Sequence, residues 1–345
     1  MSELMFLQSL SELTSVLNSF SSGKSFYVID EKVHGLFPGL IREENSFVMK
    51  SGEKDKAFYT VEKICRGMLY CDCGRDTTVI AIGGGVVCDV AGFAAAVYMR
   101  GVDFVTVPTT FLSQVDGGIG GKTGVNLCGR KNIIGAFKMP REVFICGEFL
   151  STLSEREWSS GMGELIKTAM LDNALYNFMC GNIDGIMRRD VLTVREAVRL
   201  AATFKKAITD SDPEEKGVRA CLNLGHTVGH ALESCDSYMY SHGEYVLLGL
   251  IVETAMLADE NSDRAVKLSK ILEKVSIPFF PNVSAKDVAR AALSDKKNRD
   301  GMVRVVSACD AKSFSFTEYT ADEFEEAYER AVNCLVEKGE LRREQ

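Results

Sequence analysis

Residues 77–99 read TTVIAIGGGVVCDVAGFAAAVYM. The first six carry no charge and are rich in β-branched side chains, which suits a strand buried on both faces of a parallel sheet. Gly83-Gly84-Gly85 turns the chain tightly, and a helical pattern runs on from Val86. Strand, glycine turn and helix start together aim backbone amides and the positive end of a helix dipole at an anion. The spacing is not G-x-G-x-x-G, so the standard dinucleotide fingerprint is absent, and taken alone the turn is equally a plain tight turn.

Outward from this stretch, Ser25–Asp30, Asp103–Val107 and Val143–Cys146 are short uncharged or nearly uncharged runs of the same kind, separated by helical patterns at 56–70 and 86–99. Strand–helix alternation predicts an open α/β sheet with ligands at the carboxyl ends of its strands. From about residue 154 the spacing becomes helical, over 154–178, 192–210, 217–235, 243–260, 264–275 and 321–338, with few strand signals. The expectation is an α/β domain over 1–153 and a mainly α-helical domain over 154–345, with the active site in the cleft between them.

Composition narrows the classes. The chain has 345 residues, 46% hydrophobic and 26% charged, with a net charge of −8. Its length suits two domains with separate cores. Its acidity argues against a general nucleic-acid or membrane-surface binder. MSELMFLQSL has no basic stretch or small-residue cleavage site, so no signal peptide is expected. The most apolar run, Val246–Val252, stops at Glu253 and is too short to span a bilayer. Eleven cysteines without framework spacing suit free thiols in a reducing compartment, the cytoplasm; Cys71 and Cys73 lack ligand spacing.

Positive charge is concentrated in one place. Between Met99 and Lys138 stand Arg100, Lys122, Arg130, Lys131 and Lys138 against Asp103 and Asp116, a net +3 in an acidic chain. The same stretch holds Gly117-Gly118-Ile119-Gly120-Gly121-Lys122-Thr123. Glycines that allow close backbone approach, interleaved with lysines and hydroxyls, suit a polyanion; a surface loop with solvated lysines is the plain alternative.

Three of the four histidines, His226, His230 and His242, fall within 17 residues. His226 and His230 lie four apart in LNLGHTVGHALES and share a helical face, while His242 follows a turn signal and opens another helix. Imidazoles from neighbouring helices suit a first-row metal, zinc foremost; a structural polar network is the alternative. Glu164 (with Lys167 on its helical face), Glu233 and Glu244 are candidates on similar terms for a completing carboxylate.

Taken in order, SGEKDK (51–56), AIGGGVVCDVAGFAAAVYMRG (81–101), VPTTFLSQVDGGIGGKTGVN (107–126), GRKNIIGAF (129–137), SGMGELIK (160–167), GVRACLNLGHTVGHALE (217–233), HGE (242–244) and DKKN (295–298) resemble the 3-dehydroquinate synthases. The resemblance implies a Rossmann-like NAD-binding domain and a helical metal- and substrate-binding domain. It implies one divalent metal, zinc or cobalt, on Glu164, His226 and His242, with His230 and Glu215 transferring protons. NAD would meet Glu53, Lys56, Gly84, Gly85, Asp89, Thr109, Thr110, Lys122, Lys131, Phe149 and Thr152. The substrate, a small anionic sugar phosphate, would meet Arg100, Asp116, Asn132, Lys205, Arg219, Asn223 and Lys296 or Lys297, with Asp116, Lys122 and Lys167 beside the chemistry. A homodimer is implied as well. Cys88, Lys32 and Gly117-Gly118 depart from the family pattern, which bears on cofactor affinity.

The implied reaction takes 3-deoxy-arabino-heptulosonate 7-phosphate to a carbocycle by transient oxidation, phosphate elimination, re-reduction, ring opening and aldol closure. The alternatives are a metal-dependent polyol or alcohol dehydrogenase with net NADH release, another sugar phosphate cyclase, and a non-catalytic nucleotide or metal sensor on the same fold.

Overall fold

The computed structural model describes residues 2–20, 24–236, 239–257, 263–294, 301–308 and 313–343. Lys296 and Lys297 therefore lie outside the described residues. Contacts group the chain into two compact units, 1–153 with 205–214, and 154–204 with 215–345.

The first unit runs β1 (Glu3–Leu7), α1 (Leu10–Ser19), β2 (Ser25–Asp30), α2 (Glu31–Leu36), β3 (Ser46–Met49), α3 (Phe58–Tyr70), β4 (Thr78–Gly83), α4 (Gly85–Val97), β5 (Asp103–Pro108), β6 (Lys122–Leu127), β7 (Arg130–Phe137) and β8 (Glu142–Cys146). Six strands form one parallel sheet in the order β1-β8-β5-β4-β2-β3. Alternate residues of β2 and β4 enter different cores. Phe26, Val28, Val79 and Ala81 pack with Ile64 and Val90 of α3 and α4, whereas Tyr27, Ile29, Ile80 and Ile82 pack with Leu13 and Leu17 of α1. Both sheet faces are thus covered, which is why these strands read as unbroken apolar runs.

From β2 the chain steps outward to β3, then returns to lay β4 on the other side of β2. That reversal is a topological switch point, where open α/β sheets hold ligands beyond the strand carboxyl ends. Asp30 ends β2 there, and Gly83-Gly84-Gly85 closes β4 and opens α4.

Several elements depart from the expectations. The stretch 122–137, where no strand is expected from the sequence, is an antiparallel hairpin of β6 and β7. Its two-residue turn places Cys128 at φ 48° and Gly129 at φ 75°, the geometry that matches strand twist. Gly124 faces Gly135 across the ladder, and a Cβ on Gly135 would lie 2.2 Å from the Thr123 carbonyl oxygen, so packing demands glycine where an alternating pattern would otherwise show. Helix α4 stops at Val97, and Met99 (φ 47°) and Arg100 (φ 69°) form a tight turn instead of a last helical turn.

The second unit is mainly helical: α5 (Glu155–Leu171), α6 (Asn173–Met187), α7 (Val191–Ser211, whose end belongs to the first unit), α8 (His226–Cys235), α9 (His242–Leu257), α10 (Asp263–Leu272), α11 (Ala285–Leu293) and α12 (Ala321–Glu337). The 154–178 pattern splits because Asp172 caps α6, accepting from the Leu175 amide. The 217–235 pattern contains a 3-10 turn over Val218–Asn223 and a left-handed Gly225 before α8. A hairpin of β9 (Val303–Ala308) and β10 (Phe314–Tyr319) was not anticipated. None of the described helices is long and apolar enough to cross a membrane.

Candidate active site

The centre of the second unit depends on glycines at helix contacts. A Cβ on Gly163 of α5 would fall 1.9 Å from the Gly243 carbonyl oxygen of α9, and one on Gly243 would fall 1.8 Å from that of Ser160. A Cβ on Gly249 of α9 would lie 2.0 Å from the Gly225 carbonyl oxygen at the start of α8. Only hydrogen at these positions lets the backbones come this close. Gly163 precedes Glu164, Gly225 precedes His226, Gly229 precedes His230 and Gly243 follows His242, so each polar residue sits where two backbones touch.

The side chains converge accordingly. Oε1 of Glu164 lies 3.5 Å from Nε2 of His226 and 3.3 Å from Nε2 of His242. The rings of His226 and His230 are 5.0 Å apart between centroids, and the three imidazoles offer nitrogens within 4.8 Å of one another. Nδ1 of His226 is 3.0 Å from the Leu224 carbonyl oxygen. A carbonyl only accepts, so Nδ1 carries the proton and Nε2 presents its lone pair. Nδ1 of His242 lies 3.4 Å from Oε2 of Glu233, an outer carboxylate oriented as metal-bound imidazoles use one. Glu244 instead accepts from the Ser241 amide and hydroxyl at the start of α9. The structure thus separates the three carboxylates that sequence offered on equal terms.

Charge follows burial and pairing. Nζ of Lys167 lies 2.5 Å from Oε2 of Glu164, and both side chains are 1% exposed. Burial opposes ionisation of Glu164, but Lys167, His226 and His242 outweigh it and hold the carboxyl well below the usual range. Burial pushes His226 down to about 3. Burial also works against a charged His242, yet Glu164 and Glu233 raise it to about 9. Both Glu164 oxygens are buried beside charge without a well-formed hydrogen bond. A buried carboxylate oxygen beside the Nε2 atoms of two imidazoles is a set of ligand atoms that fits a divalent cation of the zinc or cobalt kind, whose own charge would take the place of the proton on His242. By distance alone His230 fits as well as Glu164 does.

The other expected positions in this unit form a second group. Nδ2 of Asn223 donates to Oε1 of Glu215 at 2.7 Å, with Glu215 held at φ 58°. Arg219 is buried on the 3-10 turn that carries Asn223.

In the first unit, Gly84 caps α4 without a side-chain hydrogen bond, and a Cβ on Gly85 would meet only Cδ2 of Leu112, at 4.0 Å. The Thr109 amide donates to the Gly83 carbonyl at 3.0 Å, fixing the turn, and Thr110 is bonded to Ser113 through its amide and hydroxyl. Nζ of Lys56 lies 2.6 Å from Asp89 at the start of α4. Burial disfavours the Lys56 charge, but Asp89 and Glu53 outweigh it and raise the ammonium pKa. Asn126 joins Glu53 to the hairpin, donating to Oε1 at 2.8 Å and accepting from the Asn132 amide at 2.9 Å. Nζ of Lys205 lies 2.5 Å from Oδ1 of Asp116. Arg100, Lys122, Lys131 and Asn132 are exposed. Thr152 donates to the Phe149 carbonyl at 2.8 Å, and the Phe149 ring is core, edge-on to Phe37 at 5.1 Å. The pairings Lys56–Asp89 and Lys205–Asp116 join residues too far apart in sequence for spacing to reveal.

The fold is shared with sugar phosphate cyclases and with glycerol dehydrogenases. A 2-epi-5-epi-valiolone synthase from Streptomyces hygroscopicus subsp. jinggangensis, solved with NAD+ and Zn2+, superposes with a TM-score of 0.82 at 22% identity over 98% of this chain and 97% of that one. A 2-deoxy-scyllo-inosose synthase complexed with carbaglucose-6-phosphate, NAD+ and Co2+ gives 0.79 at 22% over 95% and 96%. A probable glycerol dehydrogenase from Sinorhizobium meliloti gives 0.67 at 15% over 96% and 97%. Within this class the chain belongs to the 3-dehydroquinate synthase family: residues 46–160 match the family's N-terminal model and residues 161–298 its C-terminal model. It is 36% identical over 309 residues to the 3-dehydroquinate synthase of Ruminiclostridium cellulolyticum, covering 86% of each chain, and 40% identical over 261 residues to that of Coxiella burnetii, covering 73% of this chain and 72% of that one.

Proposed function

We propose that this chain is a carbon–oxygen lyase that converts 3-deoxy-D-arabino-heptulosonate 7-phosphate to 3-dehydroquinate and inorganic phosphate. The observation that carries the reading is the buried Glu164 carboxylate, held between the Lys167 ammonium and the imidazoles of His226 and His242 in a chain of this family. When bound, NAD supplies a transient hydride acceptor, and a zinc or cobalt ion on Glu164, His226 and His242 supplies Lewis acidity at a substrate hydroxyl.

The chain's own residues do the rest. Lys167 neutralises Glu164, so the site stays ionised although buried. Gly84 and Gly85 admit close approach of an anion to the first amides of α4, with Glu53, Lys56, Asp89, Thr109, Thr110, Lys131, Phe149 and Thr152 in the cofactor-binding roles. Arg100, Lys122, Lys205, Arg219, Asn132 and Asn223 bind the carboxylate, phosphate and hydroxyls of the substrate, with Asp116 setting the position of Lys205. His230 and Glu215 hold and move protons, and the Asn223 amide fixes Glu215 in place. The same reading places the protein in the cytoplasm as a homodimer serving the shikimate pathway.

The test is incubation with the heptulosonate phosphate, NAD and zinc. Release of inorganic phosphate with a carbocyclic product, and no net absorbance gain at the NADH wavelength, is expected. Stoichiometric NADH accumulation would mark a dehydrogenase instead.

A further inference from the structure

We propose that Glu253 is a positioning residue for His226: a buried carboxylate on α9 that caps the start of α8 from outside that helix and so sets where its first side chain points. The inference rests on reading His226 as a metal ligand.

A helix begins with amides that no intrahelical carbonyl can accept from. Most helices supply a cap through Ser, Thr, Asp or Asn at the residue before the first turn. Helix α8 has Gly225 there, at φ 75°. A Cβ at Gly225 would lie 2.7 Å from Cγ of Leu250 and 2.9 Å from the Val246 carbonyl oxygen, so no side chain fits and the cap must come from another element. Glu253 supplies it. Its Oε2 accepts from the Gly225 amide at 2.8 Å and its Oε1 from the Val228 amide at 2.9 Å. The residue is 1% exposed.

The geometry comes from α9 itself. His242, Gly249 and Glu253 lie at positions i, i+7 and i+11, one face of a helix. Gly249 brings that face against the backbone of Gly225 and Gly229, within reach of the Glu253 side chain. One helix therefore contributes His242 and also holds the main chain that presents His226. The His226 ring bonds to Leu224, and Thr227 donates to the Arg304 carbonyl at 2.8 Å, so Glu253 is the part of this anchoring that grips the amides of the turn. Ligand side chains must be held within about 0.5 Å of the productive geometry, so a loosened turn weakens a metal centre before it unfolds a domain.

The test uses the full chain, stripped of metal and titrated with Co2+ while visible ligand-field bands are followed, with circular dichroism on the same samples. Glu253→Gln keeps volume and one accepting oxygen but sets an amide donor against a backbone donor. The Kd for cobalt should rise about 10- to 100-fold with altered band intensity and an unchanged far-ultraviolet spectrum. A Kd within twofold of wild type overturns the inference while leaving the metal reading intact. Wild type that binds no cobalt overturns the metal reading, and this inference with it. If the metal-free variant does not fold, recovery by saturating cobalt supports the proposal, and failure to recover overturns it by making Glu253 a general stabiliser.

Discussion

Lys167 and Glu164 form an ion pair at 2.5 Å with 1% of each side chain exposed, one helical turn apart on α5. Two charges at such burial depend on each other, because the desolvation that each has suffered is offset only by its partner. Lys167→Met should destabilise the metal-free protein by about 3 kcal/mol in denaturant unfolding. Adding Glu164→Gln should recover much of that loss, since neither charge is then left alone. Equal stability of wild type and Lys167→Met would show that the lysine does not neutralise the site.

Gly243→Ala places a methyl where 1.8 Å separates it from the Ser160 carbonyl oxygen, so α5 and α9 must part. The expected cost is about 1–3 kcal/mol, with weaker metal binding by elemental analysis. Gly181→Ala on α6, where a Cβ meets nothing within 4 Å, should instead stabilise by about 0.5–1 kcal/mol. Similar effects from both substitutions would rule out close helix contact as the reason for glycine at 243.

His226→Ala removes an imidazole that faces Glu164 at 3.5 Å. The variant should lose both bound metal and phosphate release, and full metal content on elemental analysis would remove His226 from the ligand set.

Lys205 is buried against Asp116, while its neighbour Lys206 is paired with Asp210 on the same helix. Charged hydrogen bonds are worth about 1.5–3 kcal/mol, so Lys205→Ala should lower kcat/KM for the sugar phosphate about 10- to 100-fold. Lys206→Ala should stay within about twofold, by the weakness of partly exposed ion pairs. Steady-state kinetics of the two variants separates them.

Thiol chemistry offers a check on burial. Cys128 lies exposed at the hairpin turn, and Cys73, Cys88, Cys146 and Cys221 are buried. Burial pushes Cys221 up to about 11 and raises Cys88 as well. The thiolate is the reactive form, so at pH 8 alkylation followed by peptide mass spectrometry should mark Cys128 in the native protein and Cys221 only in denaturant. Rapid native labelling of Cys221 would contradict the packing around the 3-10 turn.

The elements legible in the sequence are those whose burial is uniform along the chain. Residues 25–30, 77–82, 103–107 and 143–146 read as strands because nearly every residue in them is buried, and the glycine turn after Ile82 marks where β4 passes into α4. The histidine cluster was visible from spacing alone. The β6–β7 hairpin was not, because Gly124 and Gly135 replace the alternating side chains by which a strand is recognised. Nor could spacing choose among Glu164, Glu233 and Glu244, which end respectively beside two imidazoles, behind one of them, and at a helix cap. Local pattern determines which segments coil or extend, since that depends on neighbours a few residues away. Which carboxylate meets which imidazole depends on how closely α5, α8 and α9 approach, and that was decided by backbone contact at Gly163, Gly243 and Gly249 between residues tens of positions apart.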